Sequence, residues 1–510
     1  MSEVDDLPKN LEEDCCYHGL LPREDVAELL ANIGDYMLRL SQPKPTDPRE
    51  VIVSVRVTQG NDPLAVRHII IKRKKVEDVM HWYALEDFSF PSLDDLISYY
   101  VSSQQPINPQ VLTSVLKTPV KRQLWEFHHK DVKLKEQLGA GAFGEVRAGE
   151  VFILGRKYEC AVKLAKKVKD EAEFAHAKEK IKEMMHEARL MRHYDHVNVV
   201  RMYGVAVDCE PLMIVIELVK GGSILSDLRS RKGTVSHDEK INCMVKGGSI
   251  LSDLRSRKGT VSHDEKINCM VLGTANGLSY LHSRGCIHRD IAARNVLYTR
   301  TKIAKISDFG LSREGCIYRM KGSKKVPIKW TAPETMSTFI YTLKSDVFAF
   351  SILVWEVFSD GEEPYGDLSS AETKRKVMAG YRMQPPAGCP EGIPELMKRC
   401  WEQDPDERWS MDDAVDFIKY RIAKLSDDDS IGEHDSRDIK ASIMIVHFAL
   451  STACSIPKSP KIHSRASKSR LRNKKSRDCK TESTKSRSGQ SSKVMSKKRK
   501  KKKKKVLTHI

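Results

Sequence analysis

The chain has 510 residues, of which 40% are hydrophobic, and its formal net charge is +18. This length allows about three globular domains, and the first residues carry neither the basic nor the apolar segment of a signal peptide, so secretion is not expected. The longest apolar stretch, residues 442–454, is interrupted by His447 and is too short to span a bilayer of about 30 Å, which argues against a membrane-spanning helix.

The positive charge is concentrated at the C-terminal end. Residues 456–510 contain 22 Lys and Arg against two acidic residues, so their net charge of +20 leaves about −2 for residues 1–455. The block KKRKKKKKK at 497–505 should repel itself, and residues 425–510 are predicted to form a disordered tail. An acidic membrane surface, nucleic acid and an import receptor are open as partners, beside a solvated tail that has none.

The twelve cysteines include no Cys-x-x-Cys pair. Without a signal peptide, neither a disulfide framework nor a zinc site is favoured. We therefore expect a cytoplasmic protein, with membrane-peripheral placement or nuclear entry through the basic tail as alternatives.

The first globular segment alternates between helix and strand patterns. Apolar residues at helical spacing predict a helix after Pro22, and strict alternation predicts a strand over 34–41, which contains Arg39. An arginine in a strand between two helices suits the capture of a phosphate dianion, because guanidinium binds it bidentately. Two further strands and a second helix are predicted at 51–57, 67–72 and 92–100.

This segment resembles an SH2 domain over residues 15–110, with YMLRLS at the place of the family's FLVRES-like strand. The resemblance implies that Arg39 is the buried arginine that binds phosphotyrosine. Cys16 stands where relatives have a tryptophan. The alternative is a small α+β domain in which Arg39 makes a structural ion pair. The residues implied in phosphotyrosine binding are Arg23, Arg39, Ser41 and His68.

A linker, residues 111–130, leads to a glycine-rich segment between two alternating strands at 133–151. Glycines let a backbone approach phosphates closely, and Phe143 can cap the turn. The GxGxxG spacing alone also fits a dinucleotide-binding fold, but the next element is a strand, 158–165, and not the crossover helix of such a fold. Lys163 lies in that strand. The glycines are Gly139, Gly141 and Gly144.

A helix is predicted over about residues 170–193, where apolar residues recur at three-and-four spacing. Glu187 flanks the apolar stripe and should point inward, where a carboxylate needs a cation. A solvated surface glutamate is the alternative. The next element, 211–218, is a continuous apolar run typical of a buried strand.

An identical 26-residue duplication follows this strand. Residues 219–244 recur without a single change at 245–270. Two copies with no third cannot build a solenoid. The duplication therefore does not define the fold and must be accommodated within a different one.

The segment HRDIAARN, residues 288–295, is followed by DFG at 308–310. Phosphoryl transfer requires one carboxylate at the attacking hydroxyl and oxygen ligands for metal ions. Asp290 can supply the carboxylate. Asn295 and Asp308 provide oxygen ligands of the kind that Mg²⁺ prefers.

This pattern resembles the catalytic loop of a protein kinase, and IAAR within it, like PIKWTAPE at 327–334, resembles the tyrosine-kinase form. The resemblance implies ATP as phosphoryl donor and Mg²⁺, with Mn²⁺ as an alternative. The implied catalytic residues are Lys163, Glu187, Asp290, Arg294 and Asn295, and the implied metal ligands are Asn295 and Asp308. The implied ATP-binding residues are Leu138, Gly139, Gly141, Phe143, Gly144, Val146, Ala161, Lys163, Ile216, Glu217 and Val219.

A kinase domain needs the duplicated segment only once. We expect the extra copy to loop out of a surface connection near 232–234, at about 3 kcal/mol for loop closure. In this interpretation the first copy supplies the first helix after residue 219, and a long helix runs from about His263 through His282. An error of transcript or gene assembly is the alternative.

Tyr318 lies between the DFG motif and PIKWTAPE and is the predicted autophosphorylation site. Arg289 is a cation that a phosphate on Tyr318 could engage, whereas an exposed tyrosine without a switching role is the alternative. The family resemblance also implies that Asp346 anchors the catalytic loop and that Arg408 pairs with Glu334.

The order of SH2 domain, short linker and tyrosine kinase domain resembles the Fes/Fer family of non-receptor tyrosine kinases. The implied fold class is α+β multidomain: an SH2 domain with a central antiparallel sheet flanked by two helices, a bilobal kinase domain and a disordered basic tail. The implied enzyme phosphorylates protein tyrosine hydroxyls and is recruited to tyrosine-phosphorylated proteins. An SH2 adaptor impaired by the duplication and a nucleic-acid-binding protein are alternatives. The predicted segments are 1–14 (acidic leader), 15–110 (SH2), 111–130 (linker), 131–424 (kinase) and 425–510 (tail).

Overall fold

The computed structural model describes residues 7–8, 11–41, 49–60, 62–77, 79–86, 88–141, 144–165, 171–219, 250–320 and 326–422. Within these ranges no helix combines the length and the apolar character needed to cross a membrane. The predicted tail lies outside the described residues, so its disorder stays a prediction.

The N-terminal domain is built on a six-stranded sheet, counted over the described residues, with strand order β5-β4-β3-β2-β1-β6. Neighbours from β1 to β5 are antiparallel, and β6 pairs in parallel with β1. The elements are α1 (Arg23–Leu29), β1 (Asp35–Ser41), β2 (Glu50–Arg56), β3 (Val66–Val76), β4 (Val79–Leu85), β5 (Phe88–Phe90), α2 (Leu93–Ser103) and β6 (Thr118–Pro119).

Alternation along β1 directs its side chains to two different packing clusters. Met37 is buried with Val26 from helix α1, whereas Leu38 is buried with Leu96 from helix α2. Arg39 has the same parity as Met37 and therefore faces helix α1. The predicted antiparallel sheet flanked by two helices is confirmed.

Strand β3 is longer than predicted. We expected it to end at residue 72, where the apolar residues end, but it continues for four residues by pairing with β4. Arg73 lies 6.0 Å from the centre of the Trp82 ring on that neighbouring strand. The long basic side chains therefore cover aromatic surface, which a simple apolar pattern does not reveal.

The predicted kinase region opens with a second six-stranded sheet, with the order β7-β11-β12-β10-β9-β8 among the described residues. Helix α3 packs against β10 and β11. The predicted strands at 158–165 and 211–218 and the predicted helix at 170–193 are each found within two residues at either end. The elements are β7 (Glu126–Phe127), β8 (Val132–Gly141), β9 (Gly144–Ile153), β10 (Arg156–Ala165), α3 (Glu171–Met191), β11 (Met202–Ala206) and β12 (Met213–Glu217).

A helical lobe follows this sheet, so the predicted bilobal architecture is confirmed. In this lobe the helix Leu343–Phe358 is buried on nearly every side from Ser345 onward. The helices are α4 (Ile250–Ser256), a π-helical stretch (Glu265–Val271) continuous with α5 (Leu272–Ser283), α6 (Pro333–Thr338), α7 (Leu343–Phe358), α8 (Ser370–Met378), α9 (Ile393–Cys400) and α10 (Met411–Phe417). The short strand pairs are β13 (Cys286–Ile287) with β16 (Arg313–Glu314), β14 (Val296–Tyr298) with β15 (Ala304–Ile306), and β17 (Ile317–Arg319) with β18 (Ile340–Thr342).

The second copy of the duplicated segment is packed into the helical lobe. Helix α4 belongs to this copy, and its side chains Ile250 and Leu254 are fully buried. We expected the first copy to supply this helix, and that expectation is wrong. The first copy from residue 220 onward lies outside the described residues. The predicted long helix is confirmed and runs from Glu265 to Ser283.

The second copy supplies both helix α4 and the start of the long helix. It runs directly into helix α5, so the long helix is not interrupted by an insertion. Arg257 pairs with both Asp253 and Glu265 of the same copy. Glu265 also accepts a hydrogen bond from the Tyr298 hydroxyl at 3.1 Å and lies 3.2 Å from Lys302 Nζ. This polar cluster joins the second copy to the β14–β15 hairpin, which lies outside the duplication.

The N-terminal domain contacts helix α3 through a bidentate ion pair. Arg189 donates from Nε and Nη2 to the two carboxylate oxygens of Asp25 at 2.8 and 2.9 Å, and Asp25 is 2% exposed. Arg192 lies 3.8 Å from the same carboxylate and 2.5 Å from Glu28. Two arginines of the kinase domain therefore share an acidic surface on helix α1.

A second contact joins the start of the N-terminal domain to the kinase sheet. The Leu20 amide donates to the Val207 carbonyl at 2.7 Å. At Gly19, where φ is +57°, a Cβ would lie 2.3 Å from that carbonyl oxygen, so only glycine fits. The buried His18 ring lies 2.7 Å from Glu126 in strand β7. The two domains thus belong to one packed unit.

Replacing Leu254 with alanine should lower the free energy of unfolding by about 2–5 kcal/mol, because the change leaves a cavity beside helix α4. The matched control is Leu228→Ala, which removes the same side chain from the first copy and should cost no more than about 0.5 kcal/mol. Denaturant unfolding of both single variants and the double variant measures the difference. Equal losses from the two single variants, or a loss only in the double variant, would contradict the assignment of helix α4 to the second copy.

The Asp25–Arg189 pair should couple the two domains. A double-mutant cycle with Asp25→Ala and Arg189→Ala should give a coupling free energy of about 0.5–3 kcal/mol, because each single change leaves a shielded charge without its partner. Glu28→Ala, which removes a half-exposed carboxylate from the same surface, should cost less than about 1 kcal/mol. Strictly additive effects of the two alanine variants would argue against this contact.

Candidate active site

The residues predicted from HRDIAARN converge on Asp290. Asn295 Nδ2 donates to Asp290 Oδ2 at 2.6 Å and to the Asp290 carbonyl at 2.8 Å. Arg294 forms an ion pair with the other carboxylate oxygen of Asp290. The tight 3₁₀ turn Ala293–Asn295 makes this possible, because it returns the chain toward Asp290 after only three residues.

The predicted anchor of this loop is confirmed. Asp346 on helix α7 is 1% exposed and accepts the backbone N–H groups of His288 at 2.7 Å and of Arg289 at 2.8 Å. Arg289 has a left-handed φ of 70°, a conformation that these bonds help to hold. Asp290 follows directly, so a buried helix sets its position.

Glu187 points inward and is 3% exposed, which rules out the solvated alternative. Its Oε1 lies 2.5 Å from Lys163 Nζ, so strand β10 and helix α3 are joined by an ion pair. Burial lowers the pKa of the Lys163 ammonium, but the carboxylates of Glu187 and Asp308 outweigh burial and raise it. Lys163 is therefore a cation at neutral pH.

Asn295 and Asp308, the predicted metal ligands, lie on two segments that are bonded to each other. The Ser307 amide and hydroxyl both donate to the Asn295 carbonyl, at 2.9 and 2.8 Å. Asp308 has a left-handed φ of 65°. The carboxylate of Asp308 and the amide oxygen of Asn295, on two segments bonded to each other, are donors of the kind that suits a hard divalent cation.

Sheet register groups the residues predicted to bind ATP. Val146 is paired with Lys163 across β9 and β10, and Ala161 is paired with Ile216 across β10 and β12. Ala161 and Ile216 are buried, and Glu217 lies 3.0 Å from Lys305 Nζ. The remaining predicted residues are Leu138, Gly139 and Gly141 on β8, Gly144 on β9 and the buried Val219 after β12, whereas Phe143 lies outside the described residues.

Tyr318 lies between two arginines. The guanidinium carbon of Arg289 is 4.5 Å from the centre of the Tyr318 ring, and that of Arg313 is 5.3 Å from it. Arg289 also lies 4.2 Å from the ring of Tyr341, which is paired with Tyr318 across β17 and β18. A phosphate on Tyr318 would therefore form in a cationic environment. Arg289 was predicted to contribute to it, whereas Arg313 was not.

In the N-terminal domain, Arg39 is 5% exposed and is held by neutral groups among the described residues. It donates from Nε to Ser54 Oγ at 3.0 Å and from Nη1 to the Leu21 carbonyl at 3.1 Å, and its Nη2 lies 3.4 Å from His68 Nδ1. Burial lowers the pKa of Arg39 to about 10, so it stays a cation at neutral pH. This geometry does not favour the structural ion-pair alternative.

Of the other residues predicted to bind phosphotyrosine, which the structure describes, only His68 is seen in contact with Arg39. Burial, aided by Arg39 and Arg23, lowers the pKa of His68 to about 3, so this ring is neutral. Arg23 begins helix α1 and is exposed, and Ser41 lies on the same face of β1 as Arg39. Ser54 was missed, although a single polar residue in the centre of apolar strand β2 was a usable signal.

Two further expectations concern packing. Arg408 donates to both oxygens of Glu334 at 2.8 and 2.7 Å, so the expected pair forms. Cys16, which stands in the place of the family's tryptophan, is 3% exposed and belongs to the core of the N-terminal domain. Burial raises the pKa of its thiol well above the ordinary range, so Cys16 acts as a small apolar side chain.

Comparison with known proteins matches both domains. An SH2 domain model matches residues 16–100, and a model for protein tyrosine and serine/threonine kinases matches residues 132–418. The chain is 37% identical to the tyrosine-protein kinase transforming protein Fps of avian sarcoma virus (strain PRCII), over 79% of this chain and 67% of that protein. It is 37% identical to human tyrosine-protein kinase Fer, over 78% and 43%, and 35% identical to Fer-related kinase 1 of Caenorhabditis elegans, over 78% and 90%.

The chain spans less than half the length of human Fer but nine-tenths of the nematode relative. The kinase model covers more than half of the chain, and a kinase domain implies the use of ATP and a divalent metal ion. The chain belongs to the SH2-containing protein tyrosine kinases related to Fps and Fer.

Proposed function

We propose that this chain transfers the γ-phosphoryl group of ATP to tyrosine hydroxyls of proteins. The proposal rests on two groups of charged and polar residues in the kinase domain. Asp290 and Asn295 are joined on a loop anchored by Asp346, and Lys163 is held by Glu187 and also interacts electrostatically with Asp308. Positioning and electrostatics are what phosphoryl transfer demands of a protein. The described catalytic residues give no support to an impaired kinase domain.

In the proposed reaction, the tyrosine oxygen forms a bond to the γ-phosphorus while the bond from that phosphorus to the bridging oxygen of ADP breaks. Asp290 orients the tyrosine hydroxyl and accepts its proton. Lys163, oriented by Glu187, contacts the α- and β-phosphates. Asn295 and Asp308 would hold Mg²⁺, with Mn²⁺ as the alternative. When bound, the ion neutralises charge on the phosphates.

Apolar residues of the kinase sheet receive the nucleotide base. Val146, Ala161 and Ile216 supply an apolar surface from three adjacent strands. The backbone of Glu217 through Val219 supplies hydrogen-bonding groups at the end of β12, where the edge of the base would lie.

The SH2 domain recruits the enzyme to tyrosine-phosphorylated proteins. Arg39 is a buried cation whose described hydrogen-bond partners are neutral, so a phosphate dianion would be its counter-ion. His68 and Ser54 hold the guanidinium in place. Tyr318, between Arg289 and Arg313, is the proposed site of autophosphorylation.

The basic tail, residues 425–510, lies outside the described residues. Its charge supports binding to an acidic membrane surface or to nucleic acid, or capture by an import receptor, because each is electrostatic and tolerant of sequence. Membrane-peripheral or nuclear placement of a cytoplasmic kinase would follow.

Asp290→Asn and Lys163→Met should each lower kcat for a tyrosine peptide at least about 100-fold, because each removes a group that acts on the reacting atoms or on the phosphates. Initial rates of transfer from labelled ATP measure the loss. Phosphopeptide binding by the SH2 domain of the same variants should be unchanged and serves as the control for folding. Undiminished turnover in both variants would refute the assignment.

Arg39→Ala should weaken binding of a tyrosine-phosphorylated peptide at least about thirtyfold, because it removes one member of a buried charge pair worth about 2–5 kcal/mol. Titration calorimetry with the phosphorylated and the unphosphorylated peptide measures the effect. Lys74→Ala removes an exposed cation of the same sheet and should change the affinity less than about threefold. Wild-type protein that bound the two peptides equally well would argue against phosphotyrosine recognition.

A further inference from the structure

Helix α7 buries a glutamate that the proposed reaction does not use. Glu356 is 1% exposed, and its Oε2 accepts two hydrogen bonds from outside the helix. The Ala293 amide donates at 2.9 Å, and the indole Nε1–H of Trp330 donates at 3.0 Å. One carboxylate oxygen therefore joins the catalytic loop to the segment that follows residue 326.

Burying a carboxylate here is unfavourable. Burial raises the pKa of Glu356 to about 7, although its two donors and the nearby Arg294 oppose that change. An apolar side chain of similar size would fill the space without the loss of hydration. What the carboxylate adds, and an apolar side chain could not, is an acceptor for the Ala293 amide and the Trp330 indole.

Ala293 and Trp330 are both connected to Asp290 through Arg294. The guanidinium of Arg294 lies 4.2 Å from the centre of the Trp330 ring and forms the ion pair with Asp290. Ala293 directly precedes Arg294 in the chain, so its amide fixes the backbone from which the guanidinium extends. Glu356 thus acts on the backbone and, through Trp330, on the side chain of the residue that holds Asp290.

We propose that Glu356 is a positioning residue for phosphoryl transfer, which fixes the Arg294–Asp290 pair by accepting hydrogen bonds from Ala293 and Trp330. The proposal rests on the proposed function, because it assigns Asp290 to the reaction. Asp346 holds the start of the catalytic loop through His288 and Arg289. Glu356 holds the other side of Asp290, so helix α7 supports the loop at two points.

The test compares Glu356→Met, which keeps the volume and removes both acceptors, with Glu356→Gln, whose carboxamide oxygen can accept from both donors. We expect Glu356→Met to lower kcat for a tyrosine peptide about 10- to 100-fold while the KM for ATP stays within about twofold, since a small misplacement of a catalytic group is costly. Glu356→Gln should stay within about threefold of wild-type kcat.

Trp330→Phe isolates the indole contact, because phenylalanine keeps a ring face for Arg294 but cannot donate to Glu356. We expect it to lower kcat about 3- to 10-fold. The double variant Glu356→Met, Trp330→Phe should be no slower than Glu356→Met alone, because both changes break one pathway. Binding of a phosphopeptide by the SH2 domain reports folding in every variant.

Three results would overturn the proposal: a kcat for Glu356→Met within twofold of wild type, a loss in Glu356→Gln as large as in Glu356→Met, or additive losses in the double variant. If Glu356→Met does not fold, Trp330→Phe decides, and an unchanged kcat would overturn the proposal. Failure of the proposed function is distinguishable, because wild type and Asp290→Asn would then transfer phosphate equally.

Discussion

The ion pair between Lys163 and Glu187 constrains helix α3, which both domains contact. It joins strand β10 of the kinase sheet to helix α3, and a carboxylate that is 3% exposed would not stay there without a cation. Two residues further along the same helix, Arg189 binds Asp25 of the SH2 domain. Any displacement of α3 must therefore disturb one of two charge pairs, so the phosphotyrosine-binding domain and the catalytic domain share one structural element.

The duplication is compatible with this arrangement because its extra residues fall between elements. The sheet is complete with strand β12, and the described chain continues only to Val219. It resumes at Ile250, which is fully buried in the helical lobe. If the residues between Val219 and Ile250 formed a flexible loop, its closure would cost only about 3 kcal/mol. An interruption of the long helix would instead break consecutive backbone hydrogen bonds and the contacts of Glu265 with Tyr298 and Lys302.

Local patterns were sufficient to predict much of the fold and of the candidate site. Arg39 could be placed by alternation within one strand, and the Asp290 loop by the spacing of a short motif, because each signal lies within about ten residues. The partners of these residues could not be predicted in the same way. Ser54, Asp25 and Glu356 contact groups that are distant in sequence. Nothing in the local sequence around these residues indicates which group each one contacts. The choice between two identical copies is the limiting case, since composition and periodicity are the same and only the connection to helix α5 distinguishes them.

We expect the whole 510-residue chain to be a working tyrosine kinase whose helical lobe is built from the second copy. The most direct measurement compares steady-state phosphorylation of a tyrosine peptide by the full chain with that by a form from which one copy has been deleted, each beside its Asp290→Asn variant. We expect transfer by both forms, with KM values for ATP within about threefold, because the residues proposed to bind ATP on the sheet precede the insertion. A full chain no faster than its Asp290→Asn variant, beside an active single-copy form, would contradict it and would leave the full chain as an SH2 adaptor.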